Sequence, residues 1–195
     1  MLPPRHSLAL LLVLAACGGS SPTPAATGNA AAAAAGDPAA LLARLATEPE
    51  GKSRQPLFRA LRSGPQAQVL PALRAAFVDP DPALRAAAAA AAGRRDDGAR
   101  LVPDLLTLAT GDAEGPVRIA ATRSLAQLRA AEAFEPLRAN LGHAVPETRL
   151  SALRALARID AGRAAKLPEL GRLQLDPDAR ISGAATKVSR GVSPM

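Results

Sequence analysis

Arginine returns along this chain at a nearly fixed interval. Arg85, Arg118, Arg149 and Arg180 stand about 30 residues apart, the length of one helix–turn–helix repeat. Proline keeps the same beat at Pro38, Pro71, Pro103, Pro136 and Pro168. Two independent markers on one period restrict the chain to stacked copies of a single supersecondary unit, none of which hides its apolar face alone. The clearest copy is 146–176. It opens on Pro146, runs as an apolar-periodic helix to Ile159 and breaks at Asp160-Ala161-Gly162. A second helix follows from Arg163 towards Asp176, with Pro168 inside it.

Composition narrows the unit to helices. Hydrophobic residues make up 48% of the chain, and they are mostly Ala and Leu, both strong helix formers. Trp and Tyr are absent, and the only aromatics are Phe58, Phe77 and Phe134, so little favours strands. The expected architecture is all-α, an α-solenoid of about ten helices with half-unit caps. The helix opened by Asp37-Pro38 aligns with the second helices of later units and reads as the first cap. Ser53 to Arg62 begins unit one, with Arg54 as an irregular copy of the marker and Pro56 confined to the first turn. Ala179 to Ser189 is the closing half-unit.

At 100° per residue, positions three, four and seven beyond each marker arginine share one face. They are all Ala in unit two, then Ala121, Thr122 and Leu125, then Ala152, Leu153 and Leu156. The opposite face carries Arg123 and Gln127, then Arg154 and Arg158. Each first helix is thus expected to bury one stripe and show a basic one. The marker arginine itself falls on the buried side, where an unpaired guanidinium is costly. Arg85, Arg118, Arg149 and Arg180 are therefore expected to form a structural ladder into adjacent turns, with Asp79, Asp112 and Asp176 as the carboxylates in reach. The marker proline is placed in the first turn of each second helix, beside Asp104, Glu135 or Glu169; a mid-helix kink is the alternative.

The units match a known pattern. Asp81-Pro82-Ala83-Leu84-Arg85-Ala86-Ala87-Ala88 and Glu114-Gly115-Pro116-Val117-Arg118-Ile119-Ala120-Ala121 resemble HEAT-type repeats, most closely the short variety of phycobilisome lyases. Thr148-Arg149 and Ala179-Arg180 depart from the pattern in lacking the apolar residue before Arg. The resemblance covers about 37–189 and implies a superhelical scaffold; a bilin-lyase-like enzyme is the further possibility it carries.

The start of the chain reads as an address. Arg5 and His6 precede the apolar run Leu8 to Leu14, which is too short to span a bilayer. Leu14-Ala15-Ala16-Cys17 resembles the lipobox of a bacterial lipoprotein leader. The resemblance implies a signal peptide over 1–16, cleavage before Cys17, and lipid attachment at that residue, the chain's single cysteine. The uncharged Ala/Gly/Ser/Pro segment to Gly36 suits a disordered linker over 17–36, leading to a repeat domain over 37–190 and a tail over 191–195. By the same resemblance to bacterial lipoproteins, Gly18 after the cysteine implies the outer membrane rather than the inner, facing the periplasm.

Formal net charge is +7, or +6 once Arg5 is removed with the leader. An arginine excess attracts anionic surfaces. Nucleic acid is not the expected partner, given the export leader, the absence of Trp and Tyr for stacking, and acids in every unit. The sequence holds no Gly-rich phosphate loop, paired-Cys motif or His-Glu-x-x-His pattern, so no catalytic, cofactor or metal residues are assigned. His143, the only histidine beyond the leader, is expected as a surface turn residue. The expected function is a monomeric, membrane-anchored, non-catalytic protein-interaction scaffold. Electrostatic binding of an anionic envelope polymer or lipid head group is the second reading.

Overall fold

The computed structural model describes residues 36–49 and 52–192. Among the described residues there are eleven α-helices, three 3-10 segments and no strand. In chain order the helices are α1 (Pro38–Thr47), α2 (Arg54–Ser63), α3 (Gln66–Phe77), α4 (Pro82–Ala92), α5 (Val102–Gly111), α6 (Gly115–Gln127), α7 (Phe134–Arg138), α8 (Pro146–Ile159), α9 (Ala161–Ala164), α10 (Leu170–Leu173) and α11 (Ala179–Ser189). The 3-10 segments are Gly98–Leu101, Ala131–Ala133 and Ala139–Gly142, which lead into α5 and flank α7.

The helices stack in two rows. In the first row α1, α4, α6, α8 and α11 each pack on the next. In the second row α3, α5 and α7 follow one another, and each packs on the first-row helix that comes after it in sequence. This is the all-α solenoid expected from the period. One assignment is corrected. α1 belongs to the first row, since it packs on α4, whereas the proline spacing puts it with the second helices. Pro38 is the N1 residue of α1 and is not equivalent to Pro103 or Pro136. The first unit is longer than the others because α2 is an additional helix, packed on α1 and touching α4.

Local chemistry explains the helix starts. Asp37, Asp81 and Asp178 each sit at an N-cap and accept a backbone N–H from the first turn, Asp81 from Ala83 at 2.9 Å. Pro38, Pro82, Pro116 and Pro146 occupy first turns, where a missing N–H has no consequence. In the second row the prolines act differently from unit to unit. Pro103 and Pro136 lie in first turns, but Pro71 is inside α3. Pro168 divides the helix expected from Arg163 to Leu175 into α9 and α10. The chain between them closes with i→i−3 bonds from Lys166 to Arg163 and from Leu167 to Ala164, at 3.1 and 3.2 Å.

The core lies between the rows. Leu45, Leu61, Leu73, Leu101, Leu105, Leu125, Leu137, Leu153 and Leu156 are fully buried. The stripe at positions three, four and seven beyond the marker arginine is buried in α4, α6 and α8, including Ala88, Thr122 and Leu153. Small residues let the first-row helices approach closely. Gly93 ends α4 against α6, and a Cβ there would stand 2.7 Å from the Ser124 Cα. Ser124 uses that proximity to donate to the Ala89 carbonyl at 2.7 Å.

Candidate functional site

The marker arginines lie four residues past their N-caps in three helices: Arg85 after Asp81, Arg118 after Glu114, and Arg149 after Val145. Arg85 spans from α4 to the turn before α6. Its Nε and Nη2 donate to the two Asp112 carboxylate oxygens at 2.7 and 3.0 Å, and its Nη1 donates to the Asp79 and Pro80 carbonyls. Arg149 repeats this arrangement from α8 to the turn before α11. It binds both Asp176 oxygens at 2.9 Å and the His143 and Ala144 carbonyls. Both acids are nearly buried, and each is held below the usual carboxylate range, first by the guanidinium that binds it. Their arginines are raised in turn, by the same bonds.

Arg118 keeps only half of the pattern. Its Nη1 donates to the Asp112 and Ala113 carbonyls at 2.8 Å, but no carboxylate meets it, and its buried Nε has no partner among the described residues. The reason is the residue at the equivalent turn position. Asp79, Asp112, His143 and Asp176 all accept a backbone N–H two residues on, and His143 does so through Nδ1 from Val145 at 3.0 Å. Histidine thus makes the turn's local bond without supplying an anion to Arg118. Arg180 departs further. It is two residues past its N-cap Asp178, and the residue four past that cap is Ser182. The Arg180 side chain binds half-buried Asp178 and, at 3.0 Å, exposed Glu147 on α8. That pairing lowers Asp178 to about 2 and holds Glu147 down as well. Of the expected carboxylates, Asp79 contributes its backbone carbonyl to Arg85 while its side chain closes its own turn.

A groove of about 450 Å³ opens between α6 and α8. Ala126, Leu150 and Ala155 are buried beneath it, with half-buried Ile119 beside them. Arg123, Arg154 and Arg158 stand exposed around it, with Gln127 and Ser151 between them and Glu147 towards Arg180. These arginines are the basic stripe that the helical wheel placed opposite the buried face. Arg158 is braced by donating to the Ala126 carbonyl at 3.2 Å. The side chains of Arg123 and Arg154 form no hydrogen bond or ion pair among the described residues. The Gln127 Oε1 also has no hydrogen-bond partner there. The cationic character continues along the row, since Arg94 at the end of α4 has its pKa lowered by burial and by the nearby charges of Arg123 and Arg54.

A family profile for HEAT repeats matches residues 38–126 and 102–189. The chain belongs to the HEAT-repeat family. A search of curated proteins returns no match.

Within these HEAT units most of the other charged side chains serve the stack. A second cavity, of about 380 Å³ on the second row, is lined by Arg138, Glu169 and Glu135, which are already ion-paired, with Arg138 on Glu169 at 2.7 Å. Arg95 carries no mark in the sequence, yet it is buried. It donates to the Leu61 and Gly64 carbonyls at the end of α2 and to both Asp97 oxygens, at 2.7 and 2.9 Å. No sequence period marks it, because its carbonyl partners lie in an additional helix that the later units lack. Among the described residues no group of His, Cys, Asp and Glu is arranged to hold a metal ion. No helix among them is long and apolar enough to cross a membrane. Cys17, the leader and most of the 17–36 linker lie outside the described residues.

Proposed function

We propose that this protein is a non-catalytic interaction scaffold held at a bacterial envelope membrane by lipid on Cys17. HEAT repeats are a protein-interaction kind of fold, since stacked hairpins offer a long surface from a small repeated core. The observation that carries the reading is the division of labour among the arginines. Arg85, Arg149 and Arg95 are used to hold the stack, whereas Arg123 and Arg154 are exposed and unpaired among the described residues, above an apolar groove on the first row. The Leu14-Ala15-Ala16-Cys17 sequence and the uncharged segment after it support the anchor, because several acyl chains make a stable attachment where one does not. The outer membrane, the periplasmic face and a monomeric chain belong to the same proposal.

Metabolic labelling with an alkyne fatty acid, followed by membrane fractionation and affinity capture, tests it with the full chain and its Cys17→Ala variant. Label and membrane residence lost in the variant, together with a stable protein partner that depends on the anchor, are the expected results. An unlabelled, freely soluble chain contradicts the anchor, and a membrane form without any protein partner contradicts the scaffold. A second reading follows from the exposed Arg123 and Arg154, which also suit an anionic polymer or lipid head group. Binding that collapses with added salt and needs no protein favours that reading.

A further inference from the structure

We infer that the groove between α6 and α8 docks an acidic peptide segment that carries apolar side chains. The inference rests on the scaffold reading and names the chemistry of the partner.

Three features of the groove select this ligand. The first is charge. Arg123, Arg154 and Arg158 border it against a single acid, Glu147, which Arg180 already engages at 3.0 Å. Arg123 and Arg154 have no partner among the described residues, so an incoming carboxylate gains a guanidinium without displacing an existing ion pair. The second is the apolar surface beneath the arginines. Half-buried Ile119, over the buried Leu150, Ala126 and Ala155, gives a small apolar floor that an apolar group covers favourably and a purely anionic polymer leaves wet. The third is the amide of Gln127, which lines the groove and whose buried Oε1 makes no hydrogen bond; an amide rotated to present that oxygen would accept a backbone N–H. The volume, about 450 Å³, is that of a few side chains rather than of a folded domain surface.

The neighbouring first-row seam carries Arg94 near Arg123, but Arg94 is half-buried, donates to the Ala90 carbonyl and lies over the Phe58 ring, so it is already engaged. In α4 the position equivalent to Arg123 and Arg154 is Ala90, and the approach of Gly93 to Ser124 closes that seam. The docking site is therefore confined to the α6–α8 pair.

The test uses the full chain and a labelled peptide alternating aspartate with leucine, followed by fluorescence anisotropy. Polyglutamate and vesicles of anionic phospholipid are the comparison probes. Arg123→Glu and Arg154→Glu are each expected to weaken the peptide tenfold or more. Ser151→Phe, which fills the groove without changing charge, is expected to do the same. Arg59→Glu, on exposed α2 surface, is expected to leave binding unchanged, and melting curves establish that each variant is folded. Three results overturn the inference: no binding of the peptide, an equal loss in Arg59→Glu, or polyglutamate or vesicles binding as tightly as the peptide. Affinity capture separates this failure from that of the scaffold reading. A stable membrane partner retained by Arg123→Glu and Arg154→Glu overturns the groove and leaves the scaffold. Loss of the peptide in those variants, with no partner captured by any form of the chain, supports the groove and overturns the scaffold.

Discussion

Two adjacent seams in the first row are built from the same repeat and finished differently. Between α4 and α6, Arg85 clamps Asp112 with two bonds, Ser124 donates to Ala89, and Gly93 brings the backbones together. Between α6 and α8, each of these devices is replaced. His143 stands where a carboxylate meets the arginine, Ala155 stands at the Ser124 position, and Ala126 stands at the Gly93 position. The clamp returns at the next seam, where Arg149 binds Asp176. Of the three seams from α4 to α11, the one without a carboxylate clamp is the one that opens into the basic groove. A repeat fold can thus place a binding surface by omitting stitches from one joint while its neighbours carry the stack.

The largest expected effect comes from forcing the closed seam apart. Gly93→Val drives a side chain into Ser124 and is expected to cost about 3 kcal/mol, the upper end for overpacking, read by urea denaturation. Next is Asp112→Ala, which strands Arg85 and removes the bond to the Glu114 N–H; a melting temperature lower by several degrees is expected. Asp112→Asn tests the same clamp by pH. The folded carboxyl is held below its ordinary value by Arg85, so its contribution is present above about pH 4 and is lost as pH falls through the depressed value. The wild type should lose stability over that acidic window, and the Asn variant should lose less. Ser124→Ala removes one buried bond and should cost about 1 kcal/mol.

The last expected effect, similar in size to that of Ser124→Ala, runs the other way. His143→Asp supplies Arg118 with the missing carboxylate and converts the open seam to the closed pattern. A melting temperature higher by about 2–4 °C is expected, the shift that about 1 kcal/mol gives in a chain of this size. An unchanged or lower value shows that the residue at 143 does not determine the clamp.

Much of this was legible in the sequence, and the exceptions have physical causes. The buried stripe of α6 and α8 follows from helical geometry, because Ala121, Leu125, Leu153 and Leu156 repeat on one face, and the groove arginines follow as the opposite face. The proline spacing misplaces α1, because Pro38 happens to stand one period before Pro71 although the two occupy different rows. Arg180 shares the arginine spacing, but the interval from Val145 to the last N-cap, Asp178, is longer than that from Glu114 to Val145. The ladder position therefore moves to Ser182. Chain spacing measures the repeat only while the turns keep one length. The omission at His143 was visible as a lone histidine in a turn. Its consequence for Arg118 depends on a contact across a seam, which no local pattern reports. Arg95 was hidden for the same reason.

Hydrogen exchange of the full chain with and without the aspartate–leucine peptide addresses the binding seam directly. Added protection confined to α6 and α8, with α4 and the second row unchanged, is the predicted result. Protection centred on α4, on the α9–α10 segment or nowhere would show that the open seam is not where this scaffold takes its partner.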